Sequence, residues 1–466
     1  MLTLTSFTAA NGGVKLISSN ATAGVLNVIT GEGVDVITAV GASIDTLNVG
    51  GGNDVVTLIS SGLSAGASID LGAGNDTLVV TVPFVAGGTI NGGAGRDTLQ
   101  ISDVTPNYAA INSVISFEVL ALAASGALVD VGQITNTTLS SFAVANTGTT
   151  SFINAKLGSA FSIDTSVNVA AVNIESANGV ANVDITLNNN GLQYGPPSAL
   201  AALSVTGAST ISLTSAGSGA QANIITALST SSSTTVSIDG NVNLTLSLAA
   251  GVGSTINATG FTGRLNLTAS DTAAVLIGGR SADTIVGSSG NDTIVGGTAS
   301  GNNIADILTG GAGNDNFKFL TLAETRNNDL LNSLRTDAAL MDRITDFNGN
   351  GAGIGDTITF GIGANAFGVG LTFTSGTTAV VTAVAVSNAT DIRSLNEKIW
   401  AEVGATAIAS TNAVAQVYDV TVTGGLLAGR YLVMDNGDRI VNVADTMISL
   451  TGMTGALHAS DILFAA

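Results

Sequence analysis

The sequence contains no cysteine, one histidine, four prolines and few aromatic residues, and only 10% of its 466 residues are charged. The lack of cysteine excludes a disulfide framework, a thiolate metal site and a cysteine nucleophile. A zinc hydrolase needs more than one imidazole, and the position of His458 near the end of the chain argues against a Ser-His-Asp triad. Stability must therefore come from packing, backbone pairing or bound ions.

Basic residues are scarce as well, with 13 Lys and Arg against 33 Asp and Glu, so the formal net charge is −20. Such a chain cannot neutralise a run of phosphates, and we expect no nucleic-acid partner. No stretch approaches the roughly 20 apolar residues of a membrane span, so we also expect no membrane insertion. The first residues lack the basic and apolar regions of a Sec-type signal peptide, which favours export by another route.

Glycine is abundant, with 59 residues, and much of it lies in two clusters of repeats. The first cluster contains TGEGVD, VGASID, VGGGND, LGAGND and GGAGRD; the second contains GGRSAD, GSSGND, NNIAD and GGAGND. Each unit combines a turn, usually rich in glycine, with one Asp and an apolar residue two positions later. The candidate metal-site residues are Gly31, Gly33, Asp35, Asp45, Gly50, Gly52, Asp54, Gly72, Gly74, Asp76, Gly92, Gly93, Gly95 and Asp97 in the first cluster, and Gly278, Asp283, Gly287, Gly290, Asp292, Asp306, Gly310, Gly311, Gly313 and Asp315 in the second.

This residue pattern suits a hard cation. Glycine allows the backbone to take positive φ and turn its carbonyls inward. Calcium takes six to eight oxygen ligands, and carbonyls together with an Asp carboxylate supply them. The alternative is a set of ordinary Asx turns, but nine units in register favour the calcium interpretation. The apolar residues after each Asp are predicted to be buried in short strands: Ile37, Val56, Leu78, Leu99, Ile285, Ile294, Leu308 and Phe317.

The spacing of the aspartates predicts which edge of a β-roll carries ions, because one repeat of nine residues forms half a coil. In the second cluster, Asp283 and Asp292 are nine residues apart, as are Asp306 and Asp315, so ions should line both edges. Four aspartates of the first cluster recur at about a full coil. They are predicted to stack along one edge, with Asp45 alone on the opposite edge.

Between residues 104 and 275 charge nearly vanishes, and short runs such as ANVDITL and NVNLTLSL alternate apolar with polar residues. A period of two predicts strands, for which a β-solenoid fits best and a β-sandwich is the alternative. Residues 391–403 place apolar side chains at helical spacing and predict one amphipathic helix.

The predicted fold class is therefore all-β: a parallel β-roll or β-solenoid with calcium-binding turns, plus a small mixed C-terminal region with one helix. The predicted domains are an N-terminal roll, a Ser/Thr/Asn-rich body, a second roll and a C-terminal domain, at 1–103, 104–275, 276–318 and 319–466.

Three acids of the middle region, Glu118, Glu175 and Asp184, lie outside any calcium turn and are isolated in the sequence. Paired carboxylates would suffice for a glycosidase, but almost every other Asp already has a structural role in a turn. We therefore predict that the chain is not an enzyme.

The repeats resemble the calcium-binding nonapeptide of RTX proteins, G-G-x-G-x-D-x-U-x. The segments NFKFLTLAET, MDRITDFNGN and GDTITFG resemble the closing segment of RTX rolls, in which Asp342, Asp346 and Asp356 correspond to acidic positions. The end of the chain, from Arg430, is similar to the uncleaved C-terminal signals of type I secreted proteins. This resemblance implies several bound calcium ions and a type I exporter as partner during secretion.

The chain as a whole resembles bacterial S-layer proteins of the RTX type. That resemblance implies a self-assembling structural protein at the bacterial cell surface, with copies of itself as partners in a lattice or filament and cell-surface polysaccharide as a further partner. S-layer proteins of this type carry a large N-terminal anchoring region that we do not recognise here, so the mode of attachment stays open. The alternative is a monomeric secreted RTX adhesin or carbohydrate-binding module.

Overall fold

The computed structural model describes residues 2–3, 13–18, 25–41, 43–59, 63–85, 87–190, 198–231, 233–249, 255–270, 273–298, 305–320, 341–350, 355–364, 372–375, 377–403, 411, 414–434 and 446–465. The fold is 51% strand and 5% helix, which confirms the predicted all-β class. The chain forms two compact units, Met1–Asn223 and Ile224–Ala466. The predicted boundary at residue 103 lies inside the first unit, and the one at residue 275 inside the second.

The first unit consists almost entirely of short strands. They are β1 Leu2–Thr3, β2 Lys15–Ser18, β3 Val25–Ile29, β4 Val36–Val40, β5 Ser43–Asn48, β6 Val55–Ile59, β7 Leu63–Asp70, β8 Thr77–Val80, β9 Thr89–Asn91, β10 Thr98–Ile101, β11 Val119–Leu122, β12 Ala127–Asp130, β13 Ser141–Val144, β14 Thr149–Ala155, β15 Ala160–Asp164, β16 Val169–Ser176, β17 Asn182–Asn189, β18 Leu200–Thr206 and β19 Thr210–Gly217. One short helix, α1 Tyr108–Ile111, and a 3₁₀ turn, Val131–Gln133, interrupt them.

These strands pair in parallel with strands one coil away. One sheet runs β2-β4-β6-β8-β10-β11-β13-β15-β17-β19, and the facing strands form β1-β3-β5-β7-β9 and β12-β14-β16-β18. The register keeps apolar residues in line, so that Leu78, Leu99, Leu120 and Phe142 are successive partners and all are buried. This is a parallel β-solenoid. It excludes the β-sandwich for the described strands of residues 104–223, because a sandwich is built from antiparallel sheets.

The second unit begins with the same kind of strand. Its strands are β20 Asn223–Thr230, which starts at the last residue of the first unit, β21 Thr235–Gly240, β22 Leu244–Leu248, β23 Thr255–Asn257, β24 Leu265–Thr268, β25 Val275–Ile277, β26 Thr284–Val286, β27 Thr293–Val295, β28 Ile307–Thr309, β29 Asn316–Phe319, β30 Arg343–Ile344, β31 Asn348–Asn350, β32 Thr357–Phe360, β33 Gly363–Ala364, β34 Thr372–Phe373, β35 Thr378–Val386, β36 Val414–Val422, β37 Gly429–Met434, β38 Thr446–Leu450, β39 Thr454–Ala456 and β40 Ile462–Phe464. Helix α2 spans Ile392–Val403, and a 3₁₀ turn spans Ala459–Asp461.

Parallel pairing continues along β21-β23-β25-β27-β29-β32-β40 and along β22-β24-β26-β28-β30-β38. The second sheet then changes character, because β38, β37 and β36 pair antiparallel before β35 adds in parallel. The predicted mixed C-terminal region is therefore confirmed. Strand β40, from the end of the chain, closes the first of these sheets.

Helix α2 covers this mixed sheet. Leu395 and Ile399 are fully buried in a core with residues of β35, β36 and β37, and Trp400 packs edge-on against Tyr418 at 6.1 Å between ring centroids. The amphipathic helix predicted over 391–403 is confirmed. Among the described helices, none is long and apolar enough to cross a membrane.

The apolar residues of the repeats behave as predicted. All eight side chains that follow the repeat aspartates by two positions are fully buried, from Ile37 to Phe317. Because side chains alternate across a strand, burying this residue also places the Asp, two positions earlier, on the inner side of the turn. The strand pattern thus positions the carboxylates of the turn aspartates.

Candidate metal centre

The predicted metal-site residues lie, with one exception, in the turns that connect the two faces of each solenoid. All the predicted glycines are in these turns, between β3 and β4, β5 and β6, β7 and β8, β9 and β10, β25 and β26, β26 and β27, and β28 and β29. Each Asp immediately precedes a strand and is almost fully buried. These are Asp35, Asp54, Asp76, Asp97, Asp283, Asp292, Asp306 and Asp315.

The four aspartates of the first cluster form a hydrogen-bonded ladder with one further acid. The N–H of each donates to a carboxylate oxygen of the acid one coil later, at distances from 2.7 to 2.8 Å. We call this series the first ladder; its members are Asp35, Asp54, Asp76, Asp97 and Glu118. The predicted stacking of the four aspartates along one edge is confirmed.

The second cluster forms two ladders on opposite edges, as its spacing predicts. The second ladder contains Asp283, Asp306 and Asp342, and the third ladder contains Asp292, Asp315 and Asp356. Their N–H to carboxylate distances are 2.8 to 2.9 Å. Asp342 follows Asp306 by 36 residues and Asp356 follows Asp315 by 41, yet they continue the same ladders.

Asp45 is the exception. It lies inside β5, half-buried, where the pairing register shifts between Ile44 and Thr46. The expectation that Asp45 ends a turn on the opposite edge is therefore wrong. The reason is that VGASID has Ser43 in place of the fourth glycine of the other units of the first cluster, so a strand begins where the turn would continue.

The turns stack closely enough that their glycines are required. Gly72 has a φ of +93°, and a Cβ built there would overlap the carbonyl oxygen of Gly50 on the preceding coil. Gly74, with a φ of +136°, has the same relation to the carbonyl oxygen of Gly52. Backbone carbonyl oxygens therefore line the ladder side by side, coil after coil.

The second carboxylate oxygen divides the aspartates into two classes. Within the described residues, Oδ2 of Asp35, Asp54, Asp76, Asp97 and Asp315 is buried and has no hydrogen-bond partner. A buried polar atom without a partner costs roughly 1–3 kcal/mol, and a charged one more. We call these five residues the open aspartates.

Two aspartates of the second unit satisfy this oxygen within their own turn. Oδ2 of Asp283 accepts the N–H of Gly279 at 2.6 Å. Oδ2 of Asp292 accepts the N–H of Ser288 at 2.5 Å and its hydroxyl at 2.9 Å. These turns are complete without a bound ion, unlike those of the open aspartates.

Burial makes the ladders electrostatically unfavourable on their own. Desolvation, reinforced by neighbouring carboxylates, raises the pKa of Asp54 to about 7 and that of Asp76 to about 6. The same causes raise the pKa of Asp315 to about 7, with Asp356, Asp292 and Asp346 as the neighbouring charges. A bound cation would therefore favour the ionised form of these carboxylates and stabilise the ladders at neutral pH.

The donor set fits calcium. In the described part of the chain no three acidic or His side chains converge on one point, so a cation would be held mainly by carbonyls with one or two carboxylates. Oδ2 of the open aspartates and the stacked turn carbonyls are hard oxygen ligands of the kind calcium takes. A bound calcium ion would supply the positive charge that the buried carboxylates lack.

Comparison with protein families agrees with this geometry. A model of the RTX calcium-binding nonapeptide repeat matches residues 88–100, 268–300 and 300–318, in four copies. The chain carries RTX repeats. RTX nonapeptide repeats bind calcium and are typical of secreted proteins exported by type I systems. No curated protein matches the chain significantly.

The match covers the second cluster and the last repeat of the first. The turns before Asp35, Asp54 and Asp76 lie outside the matched residues, yet they share the rung hydrogen bond and the open Oδ2 of Asp97. The structure therefore groups them with the RTX turn at 92–97.

Two features of the site were not predicted. The side-chain oxygens of Asn53, Asn75 and Asn291, each directly before a ladder Asp, accept the N–H of the corresponding residue on the next coil at 2.8 Å and form outer rungs beside the ladders.

Glu118 completes the first ladder, and its spacing in the sequence could have indicated this role. It follows Asp97 by 21 residues, the same interval that separates Asp97 from Asp76.

The raised pKa values predict how the calcium-free chain responds to pH. Between about pH 4 and pH 7 the folded ladders bind more protons than the unfolded chain, so the unfolding free energy falls as pH rises through that window. We expect a stronger strand signal at pH 5 than at pH 8 in calcium-free buffer, measured by circular dichroism. Asp54→Asn should reduce this difference, whereas Asp184→Asn, at an exposed position in β17, should not. A stronger strand signal at pH 8 would contradict the prediction.

Proposed function

We propose that this protein is a calcium-folded extracellular structural protein that assembles with copies of itself into a surface layer or filament after unfolded export by type I secretion. The observation that carries this proposal is the set of three ladders of buried carboxylates, which include the five open aspartates, whose Oδ2 has no hydrogen-bond partner among the residues that the structure describes. Such ladders are destabilising without a cation and stabilising with one.

Calcium binding switches folding between the cytosol, where the sites are empty, and the outside, where they are filled. Extracellular sites bind calcium with dissociation constants of roughly 10⁻⁴ to 10⁻³ M, so they are empty in the cytosol and filled outside. A site at tenfold excess over its dissociation constant adds about 1.4 kcal/mol by mass action. Several ladder sites together therefore decide whether the solenoid is folded.

The composition of the strands supports the assembly part of the proposal. Outward-facing residues of the strands between β11 and β24 are mainly Ser, Thr, Asn and Ala. Where they are amides they often bond to the preceding coil, as Asn188 Nδ2 does in donating to the Ser162 hydroxyl at 2.7 Å. Nearly uncharged strand surfaces of this kind favour many weak lateral contacts between copies over one small binding site.

The test is to unfold the purified chain in chelator and return it to millimolar calcium, with millimolar magnesium as the control. We expect strand-rich circular dichroism with calcium only, followed by ordered sheets or filaments in electron micrographs that dissolve again in chelator. Magnesium should fail because it keeps its own waters and demands octahedral geometry.

The outcomes separate the parts of the proposal. An unchanged strand signal in chelator would contradict calcium-dependent folding. Folded but dispersed monomers at every concentration would contradict self-assembly and favour the adhesin or carbohydrate-binding alternative.

A further inference from the structure

The first ladder ends on a residue that belongs to no nonapeptide. Glu118 directly precedes β11 and lies in register with Asp97, because Thr98 pairs with Val119. Its Oε2 accepts the N–H of Asp97 at 2.7 Å, which is the rung hydrogen bond of the ladder. On the next coil the same position is Ser140, so Glu118 is the last carboxylate of the series.

The rung between Asp97 and Glu118 brings two carboxylates close together. Asp97 is fully buried, and within the described residues its Oδ2 has no hydrogen-bond partner. Two adjacent carboxylates in such surroundings repel unless a cation lies between them.

The backbone carbonyl of Ser116 also lies close to this rung, beside Gly92. Ser116 has a φ of 53°, a conformation that few residues other than glycine adopt. Its carbonyl oxygen occupies the position that a Cβ on Gly92 would take, and Oδ2 of Asp97 lies 2.9 Å from that position. The carbonyl oxygen of Ser116 and the unpartnered carboxylate oxygen of Asp97 therefore both lie beside Gly92.

We propose that Oδ2 of Asp97, the carboxylate of Glu118 and the carbonyl oxygen of Ser116 form an additional calcium site that closes the first ladder. A repeat motif does not detect this site, because residues 113–118 contain no glycine. The proposal rests on the proposed function, since it takes calcium to be the ion of the ladders. It makes the first ladder one ion longer than its four nonapeptide aspartates indicate.

The experiment counts calcium ions per full-length chain by equilibrium dialysis at saturating calcium. Glu118→Gln keeps an oxygen that can accept the N–H of Asp97 and removes only the charge. The matched control is Glu175→Gln, at an exposed position in β16. We expect one ion fewer for Glu118→Gln and an unchanged count for Glu175→Gln. An unchanged count for Glu118→Gln would reduce Glu118 to a hydrogen-bond acceptor and overturn the proposal.

A second measurement uses the unchanged chain, so it tests the proposed site even if Glu118→Gln does not fold. Crystals of the unchanged chain soaked in terbium should show an anomalous peak beside Asp97 and Glu118. Filled positions at Asp54 and Asp76 without a peak there would overturn the inference and leave the calcium function intact. No bound calcium or terbium anywhere in the unchanged chain would overturn the proposed function itself.

Discussion

Gly72→Ala is expected to destabilise the first unit by about 2–5 kcal/mol. In the left-handed backbone region a residue with a Cβ costs about 1–2 kcal/mol of folding free energy, and forcing apart a close-packed contact costs a further 1–3 kcal/mol. Both terms apply here, because Gly72 has a φ of +93° and its added Cβ would overlap the carbonyl oxygen of Gly50. The displaced carbonyl is also one of the candidate calcium ligands.

A matched control separates the two terms. Gly126 has a φ of +83°, but no atom lies within 4 Å of a Cβ placed there. Gly126→Ala should therefore cost only the backbone term. Urea unfolding at saturating calcium measures both variants, and equal losses of stability would show that the stacking of the turns contributes nothing.

Asp315→Asn and Asp292→Asn should have different effects although both residues belong to the third ladder. Asp315 is an open aspartate repelled by three neighbouring carboxylates, so Asn removes an ion ligand and also relieves that repulsion. We expect Asp315→Asn to bind fewer calcium ions and to lose little stability in calcium-free buffer at pH 5, where protonation lets the chain fold without calcium.

Asp292→Asn should instead weaken the fold in every condition. Its Oδ2 accepts the N–H and the hydroxyl of Ser288, and an amide group in that place would set a donor against a donor. A buried group left unsatisfied costs about 1–3 kcal/mol, with or without calcium. Calcium counting by equilibrium dialysis, combined with urea unfolding in calcium-free buffer at pH 5, distinguishes the variants. Equal calcium losses would refute the division into open and satisfied aspartates.

Much of this site could be predicted from the sequence because it depends on periodicity. The intervals between aspartates correctly predicted one edge for the first cluster and two edges for the second. The apolar residue two positions after each Asp correctly predicted the buried side chains. Period two and coil length are properties of a parallel solenoid that leave a direct trace in the order of residues.

What could not be predicted depends on local backbone geometry. Asp292 and Asp315 look equivalent in sequence, but the turn before Asp292 has Ser288 where the turn before Asp315 has Gly311. Ser288 donates to its own Asp, which no spacing rule indicates. Glu118 keeps the interval of 21 residues from Asp97 but lacks a glycine turn, so the rung hydrogen bond is what shows that it belongs to the ladder.

The ladders also have a direction. Each Asp gives its N–H to the coil that follows and receives the N–H of the coil that precedes, so the two neighbours of a rung are not equivalent. Loss of the Asp76 carboxylate leaves the amide of Asp54 without its acceptor, whereas the amide of Asp76 keeps Asp97. Loss of one carboxylate therefore removes a hydrogen bond from the preceding coil, towards the amino terminus, whereas the hydrogen bond to the following coil is kept.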